Sequence, residues 1–136
     1  MVALTLALAG VWRAAPAEAV PPQVGQVDRF WVTDWGSGQV VQIPAVLQRM
    51  GEHCSVYVQQ GRTVYEGAMN ALVESFDTVI HPTLVELLGP EPSPGIDGDP
   101  RVVLLVYAFN KGGVFGYFYP GDIDPRTGPG SPTGGR

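Results

Sequence analysis

Val102-Val103-Leu104-Leu105-Val106-Tyr107-Ala108-Phe109 is the stretch on which the fold turns. It is apolar throughout and rich in β-branched and aromatic side chains, so neither face of a strand built from it suits water. The run therefore predicts a strand buried on both faces. Ile96-Asp97-Gly98-Asp99-Pro100 ahead of it and Asn110-Lys111-Gly112-Gly113 behind it are turn sequences that bound it. Past the second turn, Val114 to Tyr119 predicts a further strand with Phe115, Tyr117 and Tyr119 on one face.

Working upstream, the period changes from strand to helix. Tyr65, Met69, Leu72, Phe76, Val79 and Ile80 recur at helical spacing and predict one apolar stripe. Thr63-Val64-Tyr65-Glu66 has the spacing of a capping box, which predicts a helix start at Thr63. Pro82 disfavours helical geometry at His81, so the helix is expected to kink or break there, with a short second segment ending at Gly89. Before the helix, Glu52 to Gln59 alternates, placing Cys54, Val56 and Val58 on an apolar face and His53, Ser55, Tyr57 and Gln59 on a polar one. Residues 39–60 read as a hairpin, in which Pro44 favours an edge position or a bulge. Phe30-Trp31-Val32-Thr33 adds a first short strand. Together these elements predict an α+β fold: a mixed or antiparallel sheet of about five strands, backed on one face by a long helix kinked or broken near Pro82.

The flanks differ from this core. Val2 to Trp12 is apolar but shorter than the roughly 20 residues a bilayer crossing takes, and Ala17-Glu18-Ala19 fits a signal-peptidase site. Residues 1–19 are accordingly expected to be a signal peptide, 20–28 a Pro-containing linker, 29–119 the α+β domain and 120–136 a disordered Gly/Pro-rich tail. The expected location is secreted or extracytoplasmic. No other apolar run is long enough to cross a membrane, so the protein is not expected to be transmembrane. A net charge of −5 with scattered Lys and Arg argues against nucleic acid and against a polybasic membrane anchor.

Complete catalytic constellations are missing from the 136 residues. The two histidines, His53 and His81, are not at the spacing of an HExxH zinc helix, and structural roles suit them better. No G-x-S-x-G elbow exists, and Gly36-Ser37-Gly38 reads as a plain turn. Cys54 falls on an apolar face, where a thiol stays protonated and inert. Asp97 and Asp99 are oxygen donors too few and too close together for an EF-hand, and Asp122 with Asp124 is no better. The aromatic strand 114–119 has two readings, core packing or an edge that pairs with an extended peptide, and Gly116 would permit the close backbone approach the second requires.

Gly51-Glu52-His53-Cys54-Ser55-Val56-Tyr57-Val58, Phe76-Asp77 with Ile80-His81-Pro82-Thr83, Pro94-Gly95-Ile96-Asp97-Gly98-Asp99-Pro100-Arg101 and Gly116-Tyr117-Phe118 follow one another in a recognisable order. Over about residues 25–125 the chain resembles the N-terminal half of the catalytic region of secreted bacterial zinc metallopeptidases of the hyicolysin-like group. The resemblance implies a zincin-type half-domain, with Gly116, Tyr117 and Phe118 toward the substrate-binding edge. It assigns no catalytic and no metal-binding residue to this chain, because the HExxH helix of such enzymes is absent; zinc is expected only in a complete family member. The expected function is that of a non-catalytic N-terminal segment, inactive alone. The alternative is a small exported binding module, or a propeptide or inhibitor, that offers strand 114–119 to an extended peptide or a protease cleft.

Export makes a direct prediction: the processed protein recovered outside the cytoplasm begins at Val20 by N-terminal mass analysis. Recovery of exported chains that retain Met1 to Ala19 would refute cleavage at that site.

Overall fold

The computed structural model describes residues 21–91, 93, 95, 98–113, 116 and 117. The expected signal peptide and tail lie outside them. Four strands, β1 (Val27–Asp34), β2 (Gln39–Met50), β3 (Cys54–Gln59) and β4 (Val102–Val106), form one sheet in the order β1-β2-β3-β4. The first two pairings are antiparallel and the last is parallel, so the sheet is mixed. A parallel pair cannot be joined by a hairpin. The crossover is a continuous helical stretch of 23 residues: α1 (Glu66–Ser75), a π-helical turn at Phe76–Ile80, and α2 (His81–Leu88).

The α+β class is as expected, while the strand count is four among the described residues. Gly116 and Tyr117, the described part of 114–119, are not in a strand. β1 starts at Val27, within the stretch read as linker, and the Gly25 and Gln26 backbones already bond Leu47 at 2.8 and 2.9 Å. β4 is partly exposed at every position instead of buried on both faces, because it is the last strand of the described sheet. Pro44 lies in an internal strand, not on an edge. Its carbonyl accepts from Gln60 at 2.9 Å just past the final β2–β3 pair, so the missing N–H falls where the ladder has ended.

Two apolar clusters lie on opposite faces of the sheet. The helix covers Cys54, Val56 and Val58 with Met69 and Phe76. On the other face the long β1–β2 hairpin curls over Tyr57, gathering Phe30, Val32, Ala45 and Leu47 around it. The face of β3 read as polar is thus buried as well. Tyr57 is wholly buried, with its hydroxyl donating to Asp28 at 2.7 Å and its ring edge-on to Phe30 at 4.9 Å.

A bulge explains how the two layers are joined. Leu47 pairs with Tyr57 and Arg49 with Val56, so Gln48 is the extra residue. The insertion moves Arg49 to the helix face, where it reaches Glu66 at 2.8 Å and Asn70 at 3.2 Å. Glu66 is therefore engaged with Arg49 and not with a capping box. The helix starts at Glu66 with Tyr65 as its N-cap and no side-chain cap bond. Downstream, the backbone N–H of His81 bonds the Phe76 carbonyl, one residue further back than in an α-helix. That wider turn lets the helix run through Pro82 without breaking. It also rotates the apolar stripe off the core, so Val79 and Ile80, expected to be buried, are exposed.

In urea titrations, Leu47→Ala is expected to cost about 2–5 kcal/mol, since its side chain is fully enclosed. Thr63→Ala should change stability by less than about 0.5 kcal/mol, because Thr63 caps nothing.

Candidate functional site

Motifs far apart in the chain meet where β3 and β4 begin. The Asp77 carboxylate accepts from the backbone N–H of Glu52 at 2.8 Å and of His53 at 2.9 Å. Gly51 closes the turn through a 2.8 Å bond to the Cys54 carbonyl, and a Cβ there would overlap the Asp77 carboxylate. Arg101 donates to the Gly51 carbonyl at 3.2 Å and pairs with buried Asp99 at 3.2 Å. The Val102 N–H then bonds the His53 carbonyl at 2.9 Å, starting the parallel ladder. Burial opposes ionisation of Asp77. The two N–H donors, with His53 and His81 alongside, outweigh it and hold the carboxyl below its ordinary range.

Both histidines belong to this knot. Their rings stack face to face, 3.8 Å between centroids and 8° from parallel, and His81 Nε2 lies 2.8 Å from Glu91. His53 precedes β3 and is not on a polar strand face. Lone pairs on imidazole nitrogen lie in the ring plane, so parallel stacked rings do not converge on one ion. Among the described residues no group of three or more His, Cys, Asp or Glu is arranged to hold a metal. Asp99 is committed to Arg101, and Asp97 lies outside the described residues. Burial, and then the charge of Asp77, push the Cys54 thiol up, away from the reactive thiolate. Ser55 is wholly buried, with no partner for its hydroxyl among the described residues and hence no base beside it. The knot organises the fold; its chemistry is structural.

At the other end of β4 the chemistry is aromatic. Tyr117 packs edge-on against Trp35 at 5.5 Å, Phe109 at 6.0 Å and Tyr107 at 6.4 Å, and Tyr107 lies 4.6 Å from Phe109. The Tyr107 hydroxyl donates to the Thr33 carbonyl at 3.2 Å, tying β4 to β1 across the curled face. Burial, reinforced by the Tyr117 phenol, raises the Tyr107 pKa far above its ordinary value. Asp34 accepts from the Gly36 N–H at 2.9 Å and from Asn110 at 3.3 Å, which lowers its pKa. A neighbouring cleft lined by Asp34, Gln59, Tyr107 and Asn110 encloses about 70 Å³, room for water but not for a substrate.

Of the three residues expected at a substrate edge, Gly116 and Tyr117 stand beside this cluster and Phe118 lies outside the described residues. Tyr117 is 37 % exposed, and a Cβ on Gly116 would meet nothing within 4 Å. Space on the Gly116 backbone is thus open to a second chain. The outer edge of β4 has no strand beside it among the described residues. Sequence reasoning missed Trp35 and Asn110, which looked like turn-flanking residues and act as the floor and latch of the ledge. No family model matches the chain, and no curated protein matches it.

Asp77→Asn is expected to cost about 1–3 kcal/mol at neutral pH, since a neutral amide is a poorer acceptor for the two N–H groups. Because folding depresses the Asp77 pKa, its contribution is complete above the unfolded value of about 3.9 and is lost as pH falls through the lower folded value. Denaturation curves of wild type and variant should therefore converge in acid. A gap that stays constant down to pH ~2 would contradict the carboxylate's role.

Proposed function

We propose that this chain is the non-catalytic, peptide-binding part of an exported zincin-type metallopeptidase. The observation that carries the reading is the unpaired outer edge of β4, with the exposed ledge of Gly116 and Tyr117 at its C-terminal end. An extended substrate adds to such an edge as a further strand: its main chain supplies hydrogen bonds and its side chains meet the aromatic ledge. The ordered motifs that carry the family resemblance support the assignment, since Gly51 to His53, Asp77, His81, Asp99 and Arg101 serve one shared structural purpose. Zinc supplies the activated water in such peptidases. The residues described in this chain do not fit the metal, because His53 and His81 are stacked on each other. Hydrolysis therefore depends on ligands supplied by a different segment.

The second reading, an exported binding module, draws on a different observation. Both apolar clusters are closed by described residues alone, so the domain has a core sufficient to fold by itself. The two readings share the peptide edge and differ in whether a zinc-binding segment accompanies it.

One experiment addresses the edge and one the assignment. The purified chain should bind unfolded, carboxymethylated casein without cleaving it, and Gly116→Val should weaken capture several-fold; equal capture by the variant refutes the edge. Coding DNA flanking this segment should carry His-Glu-x-x-His in frame. If no reading frame does, the peptidase assignment falls and the binding module stands.

A further inference from the structure

The C-terminal part of the helix is unusually bare. α2 has no buried residue, although five of its eight positions are Leu, Val or Pro. Ile80, Leu84, Leu87 and Leu88 are 41, 42, 73 and 81 % exposed and fall at i, i+4, i+7 and i+8, one face of a helix. A solvent-facing stripe would ordinarily be polar. The phase shift at Phe76–Ile80 explains why it points outward: α1 turns Met69 and Phe76 to the core, and the wider turn swings the next apolar rows away from it. Nor is α2 a loose end. Its first residue is stacked on His53 and tied to Glu91, so the stripe is held at a defined angle.

Charge decides what fits. From Glu66 to Leu88 the helix carries Glu66, Glu74, Asp77 and Glu86 and no Lys or Arg. Arg49 neutralises Glu66, and Asp77 is taken up by the Glu52 and His53 N–H groups. Glu74 and Glu86 remain exposed beside the apolar stripe. A second copy docking through the same face would set Glu86 against an equally acidic surface with no cation to offset it. An anionic membrane is disfavoured for the same reason. We propose that this face of α2 docks a basic amphipathic helix of a partner protein, with Leu, Ile or Phe at helical spacing over the stripe and Lys or Arg reaching Glu74 and Glu86. This interaction is independent of the β4 edge, which binds extended rather than helical chains.

The test uses the whole chain and two synthetic helical peptides, one built from Leu and Lys and one from Leu and Glu in the same pattern. Calorimetry should show saturable binding of the Leu–Lys peptide, weakened about tenfold or more by Leu87→Ser with Leu88→Ser. Paired Glu74→Lys and Glu86→Lys should weaken it several-fold, and the Leu–Glu peptide should not bind. Circular dichroism should be unchanged in these variants, whose altered side chains are all exposed. Leu–Lys binding that survives the Leu substitutions, or equal binding of the Leu–Glu peptide, overturns the proposal. So does sedimentation of the chain alone as a dimer that the Leu substitutions disperse, which would make the occupant a second copy.

Discussion

The Asp77 carboxylate is the constraint on which the remaining structure hangs. It sits in the wide turn of the helix and takes both N–H groups of the Glu52-His53 turn, so one side chain sets the helix against the sheet where β3 begins. Gly51 is confined to glycine by the space that carboxylate fills. Once the turn is held, its carbonyls face outward: Gly51 receives Arg101 and His53 receives the Val102 N–H. The parallel pairing of β3 with β4 follows from that alignment, and with it the position of the open edge.

This arrangement accounts for what could be read in the sequence. Local patterns were legible. The alternation of Cys54, Val56 and Val58 identified the helix-facing side of β3, and the apolar run from Val102 located β4. Features that depend on a distant partner were not. Thr63 and Glu66 have capping spacing, yet Arg49, brought to that face by a bulge, engages the carboxylate. Tyr57 fell on the nominally polar face because its burial comes from a hairpin curling back over it.

The candidate site divides in the same way. The histidines could be dismissed as a zinc helix from spacing alone, but their mutual stacking could not be foreseen, since they arrive from a turn and a helix. Gly116 and Tyr117 were identifiable as a small residue beside an aromatic one. The ledge they form depends on Trp35, which follows β1, and on Phe109, which follows β4. Helical periodicity failed at Val79 and Ile80 for a physical reason: an added residue in the turn changes the phase of everything after it.

The enclosure of Cys54 has a further consequence. Its sulfur is fully covered beneath the helix, next to the anionic Asp77, and so is shielded from oxidants and from other thiols. In an oxidising compartment, where an unpaired thiol invites covalent cross-linking, the folded chain is inert and only the opened chain reacts. The lone cysteine thereby reports on the integrity of the layer above it: modification by a thiol reagent measures how often the helix leaves the sheet.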